Sequence, residues 1–212
     1  MTHKSSDAAA NCGEVEKMTP FVIPAHAHAE GAAVIPYDRY AEGVAMRASM
    51  KKEGWFLNKG VEYAKVCVKE LVLNTKNTLY IFNQRMDEAV ADTNDVYDAL
   101  QDAAYRGVEI RLLLEEPYCA ENIQNSKALH FLEFAKAAGG NVDIKTASGS
   151  EIEKIKEILG SDYHFMVGDE SMVRIELGKI DYRAIVSYNE TAYAKQLHSL
   201  VETAFSNHTF SN

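Results

Sequence analysis

Cysteine is scarce. The chain carries three, Cys12, Cys67 and Cys119, an odd number, widely spaced and nowhere in a C-x-x-C pair. This argues against the disulfide framework of a small secreted scaffold and for a reduced intracellular protein, each thiol filling space rather than acting as a nucleophile. Long apolar runs are missing too. Nothing approaches the about 18 consecutive apolar residues of a membrane span, and residues 1–13 hold no apolar stretch of signal-peptide length. The expectation is a soluble, cytoplasmic protein with no membrane contact. Positive charge is the third shortage: 22 Lys+Arg stand against 31 Asp+Glu, a formal net charge of −9. Such a field repels polyphosphate backbones at long range, so nucleic acid is not an expected partner.

What is present is an ordinary globular composition. The 212 residues are 47% hydrophobic and 25% charged, enough for one domain and a tail. A chain of this length buries roughly 70% of its unfolded surface and needs neither disulfide nor metal to do so. Residues 1–40 stand apart, with three of the four prolines (Pro20, Pro24, Pro36) and no helical stripe. They read as a flexible or extended arm, available to a protein partner or a neighbouring subunit. Within it, His26 and His28 would share a face of an extended segment and supply two positions of a zinc or nickel site. No further ligand completes that site, and no metal or other cofactor is expected.

Residues 41–212 read as a single α/β domain. Val61, Ala64, Val68, Leu71 and Val72 recur at helical spacing and lead through the turn at 74–77 into Thr78-Leu79-Tyr80-Ile81-Phe82, a β-branched and aromatic run. The same alternation follows twice more. Asp92, Thr93 and Asn94 offer N-cap side chains to a helix that Gly107 ends before the strand at 108–114. Ser126 precedes a helix stopped by Gly139-Gly140, then a short strand at 141–145. Ser150 and Glu153 fit a capping box for a third helix bearing Ile152, Ile155 and Leu159. After Gly160 the rhythm changes to strands at 164–167, 172–177 and 182–187, separated by turn residues, and a last helix closes the chain. The fold class is therefore α/β: a mixed sheet flanked by helices on both faces, ending in an antiparallel meander and a C-terminal helix. Trp55, Phe56 and Tyr63 lack the surrounding arginines of a base-stacking platform and read as core or interface anchors.

Two segments carry a likeness. Ala104-Tyr105-Arg106-Gly107-Val108-Glu109-Ile110-Arg111-Leu112-Leu113-Leu114 resembles the A-x-x-R-G-V-x-V-R-hydrophobic segment of phospholipase D-like domains, and Phe165-Met166-Val167-Gly168-Asp169 resembles the end of that family's H-x-K-x-x-x-x-D motif. The resemblance covers roughly residues 58–207 and implies a phospholipase D-like fold. It also implies which positions to watch. With Asp169 as the motif aspartate, Asp162 occupies the place of the nucleophilic histidine and His164 that of the phosphate-binding lysine. If His164 is instead the nucleophile, the lysine position falls on Met166. The family's Gly-Ser-x-Asn segment after the motif has no counterpart.

In the resembled enzymes one histidine attacks phosphorus, a second protonates the leaving oxygen, and lysine and asparagine neutralise the developing charge. Histidine and lysine stand two apart on a strand so that both side chains leave one face. A carboxylate at the nucleophile position would repel a phosphodiester. The leading expectation is thus a catalytically degenerate phospholipase D-like protein serving as a binding, regulatory or scaffolding module, with Asp162, Arg174, Lys179 and Arg183 as candidate ligand-binding residues. The rival expectation is a divergent phosphodiesterase or nuclease with His164 as nucleophile, Asp169 supporting the motif, and Arg174, Lys179 or Arg183 supplying the missing cation. Relatives with one motif pair two chains to complete a site, which leads to the expectation of a homodimer. Each residue also has a plainer role: His164 as a satisfied core or edge histidine, Asp162 as a turn residue, the three cations as solvated or edge-protecting charges.

Overall fold

The computed structural model describes residues 35–86, 88–119, 123, 125–178 and 181–206. Most of the arm, including His26 and His28, lies outside the described residues, as does Lys179. Helix α1 (Tyr37–Ser49) opens within the stretch read as arm, behind Pro36 at its N-cap. Pro36 has the extended backbone of a cap residue and Asp38 sits in the first turn, both of which favour a helix start there.

Seven strands form one mixed sheet: β1 (Phe56–Asn58), β2 (Thr78–Asn83), β3 (Glu109–Leu114), β4 (Val142–Thr146), β5 (His164–Gly168), β6 (Met172–Gly178) and β7 (Arg183–Ser187), in the order β1-β7-β6-β5-β2-β3-β4. β2, β3 and β4 run parallel, β5 joins β2 antiparallel, and β5, β6 and β7 make the expected meander. β1, only three residues long, adds antiparallel to β7 and is a strand the sequence does not announce. A three-residue segment leaves no period to detect.

Helices cover both faces. Leu79, Ile81, Ile110, Leu112, Met166, Met172 and Val186 face a layer built from α1, α2 (Val61–Asn74), α3 (Glu88–Ala91), α4 (Asn94–Tyr105) and α5 (Lys127–Ala137). Tyr80, Phe82, Leu113, Phe165, Val167, Val173 and Ile175 face α6 (Gly149–Leu159) and α7 (Thr191–Ser206), packing on Ile155, Leu159, Leu197 and Val201. Burial on both faces explains why β2 and β5 read as largely continuous apolar runs, while β3 alternates through Glu109 and Arg111 before Leu112-Leu113-Leu114. No helix among the described residues is long and apolar enough to cross a membrane.

The two family-like segments hold the frame together. Arg106 donates from Nη1 to the Thr75 carbonyl at 2.6 Å and from Nη2 to that of Val72 at 3.3 Å, while Nε pairs with Asp102 at 2.7 Å. A cation thereby satisfies the last carbonyls of α2. Asp169, in the left-handed region at φ 50°, accepts the backbone N–H groups of Lys76, Asn77 and Thr78 at 3.2, 2.8 and 3.3 Å. Its neighbour Gly168 packs so closely that a Cβ there would lie 2.4 Å from Thr75 Oγ1 and 2.8 Å from Met172 Cε. The β5–β6 turn is thus fastened to the α2–β2 turn, and this fixes where β5 ends and so what its starting residue His164 reaches.

Two caps fall elsewhere than expected. The capping box belongs to Ser148 and Glu151, not to Ser150 and Glu153: Ser148 Oγ accepts from the Glu151 N–H at 3.3 Å and the Glu151 carboxylate accepts from the Ser148 N–H at 2.7 Å. α6 starts two residues early because the chain turns directly off β4. Thr93 takes the N-cap position of α4 but makes no side-chain cap bond. Asp92 instead reaches α5, accepting the N–H groups of Lys127 and Ala128 at 2.9 Å each and the Ser126 hydroxyl at 3.0 Å, so it serves a helix distant in sequence.

Candidate binding cavity

At the end of β2, beside the start of β5, lies a cavity of about 190 Å³ lined by Asn83 and His164 among others. Its floor follows from register. His164 and Met166 leave the same face of β5, Arg174 and Glu176 the same face of β6, and the antiparallel pairing sets His164 opposite Glu176 and Met166 opposite Arg174. α2, α3 and α4 roof this floor with Val68, Val90, Ala91, Val96 and Leu100, and the end of β2 adds Asn83, Gln84 and Arg85 at the mouth. Tyr182, held by its carbonyl to Asn58 Nδ2 at 2.8 Å, borders the far side. In open α/β sheets the carboxyl ends of strands are where ligands lodge, and β2 ends here.

Two basic side chains of the cavity floor are buried and have carboxylates beside them. His164 is 5% exposed, and its Nε2 lies 3.3 Å from Glu115 Oε2, just past the end of β3. Arg174 is also 5% exposed, with Nη1 3.2 Å from Glu176 Oε2. Arg174 Nε is buried with no hydrogen-bond partner among the described residues. Each potential cation of the floor therefore has a carboxylate beside it. Behind the floor, Tyr40 donates to or accepts from Cys67 Sγ at 3.0 Å, and the Tyr188 hydroxyl donates to the Cys67 carbonyl at 3.2 Å. Burial pushes the Cys67 thiol up to about 11, opposed by the Tyr40 hydroxyl and by the Arg174 charge. Burial likewise raises Tyr40 and Tyr188, with Arg174 again opposing. Cys67 is accordingly a packed, protonated thiol rather than a nucleophile.

Of the residues singled out from the sequence, His164 and Arg174 come together in the cavity. Asp169 lies at the opposite end of β5, in the fastening described above. Asp162 precedes β5 on the surface, its side chain 61% exposed and Oδ1 2.8 Å from Lys156 Nζ. Arg183 opens β7 outside the cavity lining, and its own N–H donates to Asp181 Oδ1 at 3.2 Å. Glu115 and Glu176 are the residues sequence reasoning missed. The signal for Glu176 was its i+2 spacing from Arg174, and for Glu115 the acid directly after the apolar run Leu112-Leu113-Leu114. Trp55 and Phe56 diverge onto the two sheet faces, Trp55 edge-on to Tyr193 with centroids 6.1 Å apart and Phe56 against Tyr188 at 5.9 Å. Among the described residues no cluster of three or more His, Cys, Asp or Glu is placed to hold a metal ion.

Comparison with solved structures places the chain by shape. It superposes on NucT from Helicobacter pylori with a TM-score of 0.51 at 12% identity, covering 72% of this chain and 96% of that one. It superposes on TrmBL2, an archaeal chromatin protein whose structure shows a novel mode of DNA binding, with a TM-score of 0.50 at 14% identity. That match covers 80% of this chain and 60% of TrmBL2, so the chain spans less than two thirds of that protein. Nuc from Salmonella typhimurium, a phospholipase D family member, gives a TM-score of 0.48 at 14% identity over 72% of this chain and 95% of that one. No family model matches the chain, and no curated protein matches its sequence. The fold is the expected α/β one, a mixed sheet with helices on both faces, and at these identities the likeness concerns the fold alone.

Proposed function

We propose that this protein is a noncatalytic phospholipase D-like module whose cavity above β5 and β6 binds a small ligand in a regulatory or scaffolding role. The observation that carries this reading is that both basic side chains of the cavity floor have a carboxylate beside them, Arg174 with Glu176 and His164 with Glu115. A phosphodiester entering this space would meet those carboxylates. Unit charges about 4 Å apart repel by about 4 kcal/mol at an effective dielectric of about 20, which offsets the attraction of Arg174. Phosphoryl transfer needs a site whose charge favours the developing anion, and this one is balanced. Turnover of a chromogenic phosphodiester and of single- and double-stranded nucleic acid, with His164→Ala as control, is the test. The expected result is no turnover above buffer, and activity that disappears in His164→Ala overturns the reading.

One observation favours a second reading. Met166, the position of the family's lysine when His164 is the nucleophile, has Arg174 as its direct cross-strand partner on the same face. A cation supplied from β6 would then stand in for one lost from β5. In this phosphodiesterase reading an imidazole nitrogen of His164 bonds to phosphorus, the ester oxygen leaves with a proton from a second copy's histidine, and water then breaks the P–N bond. The chemistry requires a homodimer and an accessible imidazole. The 5% exposure of His164 weighs against it. Light scattering gives the mass, and acid-labile, base-stable phosphate on His164 during turnover would favour this reading over the first.

A further inference from the structure

We infer that the cavity is built for a compact, uncharged molecule with an apolar body and a polar head that both donates and accepts hydrogen bonds, of the primary carboxamide class. The inference rests on the binding-module reading and adds the ligand's chemistry. Size comes first. A cavity of about 150 Å³ holds benzene, so about 190 Å³ takes roughly one small polar group more. Shape comes next: Val68, Val96 and Leu100 from the roof and Ile81 and Met166 from the floor give apolar surface. Asn83, His164 and Glu176 lie two residues from Ile81, Met166 and Arg174 along their strands, and Arg174, opposite Met166, reaches Glu176. A ligand apolar at one end and polar at the other satisfies both sets of groups.

Charge makes the selection. On the floor Arg174 is matched by Glu176 and His164 has Glu115 beside it, while Arg85 lies exposed at the mouth. An added anion or cation would therefore lie in a poorly solvated space with one charge unmatched, whereas a neutral head can donate to Glu176 and accept from Arg174 without disturbing their pairing. Among the described residues the buried Nε of Arg174 has no hydrogen-bond partner, so the guanidinium keeps a donor that these residues do not use.

Three molecules of nearly one shape separate the possibilities: benzamide (neutral), benzoate (anion) and benzamidine (cation), titrated with inorganic phosphate into the full chain and followed by backbone amide shifts at residues 166 and 174. Benzamide is expected to bind at least about tenfold more tightly than either charged analogue or phosphate. Glu176→Gln is expected to shift the preference toward benzoate by about tenfold and Arg174→Met toward benzamidine by a similar factor, each variant first checked for cooperative unfolding. Benzoate or phosphate binding best to the native chain, no binding by any probe, or a preference untouched by both substitutions would overturn the inference. Phosphodiester turnover would instead overturn the reading beneath it, so the two failures are distinguishable.

Discussion

Replacing Arg174 by methionine removes one member of a buried ion pair and keeps a side chain of similar length. Arg174 is 5% exposed and the Glu176 side chain 13% exposed, so the remaining carboxylate would stay in the interior without its cation. Breaking a buried pair from one side costs about 3–5 kcal/mol, a large share of the roughly 5–15 kcal/mol that holds a domain together. Replacing both partners, as in R174M with Glu176→Leu, removes two desolvated charges at once and is expected to return the stability to within about 1 kcal/mol of the native chain. Urea unfolding of the four proteins, native, two singles and the double, closes the cycle. With a denaturant slope of about 2–3 kcal/mol per molar, the R174M midpoint should fall by roughly 1–2.5 M while the double variant recovers most of it. A double variant as unstable as the sum of the singles would show that the two residues do not act as a pair, and the charge-balance argument for the cavity would go with it.

Three further outcomes are expected. Asp169→Ala strips the acceptor from three backbone N–H groups and should cost about 2–3 kcal/mol, read as a lower melting temperature, because charge-assisted hydrogen bonds are the strong ones; a loss under about 0.5 kcal/mol would remove the fastening role. Gly168→Ala should destabilise by about 1–3 kcal/mol through the clash with Thr75 Oγ1, and pairing it with Thr75→Ala should recover part of that loss. Glu151 is pushed upward by burial but held below the usual carboxylate range by its bonds with Lys145 and Ser148. A depressed folded-state value means stability that is present above the unfolded value and lost as pH falls through the folded one. Lys145→Met should therefore flatten the acid limb of the stability profile, and an unchanged slope would refute the assignment.

Local rules carry far in this chain. Helical spacing in 61–72, the cap at Ser126, whose hydroxyl accepts from the Leu129 N–H, and the left-handed Gly107 are all decided within a few residues and are legible as such. The same holds for the placement of β2 to β7. Caps decided by tertiary contact are not: Asp92 lies beside the residues that cap α4 yet serves α5, because its reach is set by how α3 packs on α5. The site divides the same way. Arg174 could be nominated from the sequence, as one of three cations near a histidine. Only the structure distinguishes it from Arg183, since β6 presents Arg174 on the cavity face while Arg183 opens β7 outside it.

By itself, then, the sequence determined the alternation of helix and strand, the apolar faces of the strands and the two segments that fasten the frame, because each is written in periods of two or 3.6 residues and in local turn chemistry. The tertiary structure alone decided the company His164 keeps. Glu115 stands 49 residues away in the chain, and Glu176 faces His164 only in the register that β5 and β6 adopt. A one-residue slip would send each of these side chains to the opposite face, and that choice is made by the packing of the whole sheet between its two helical layers.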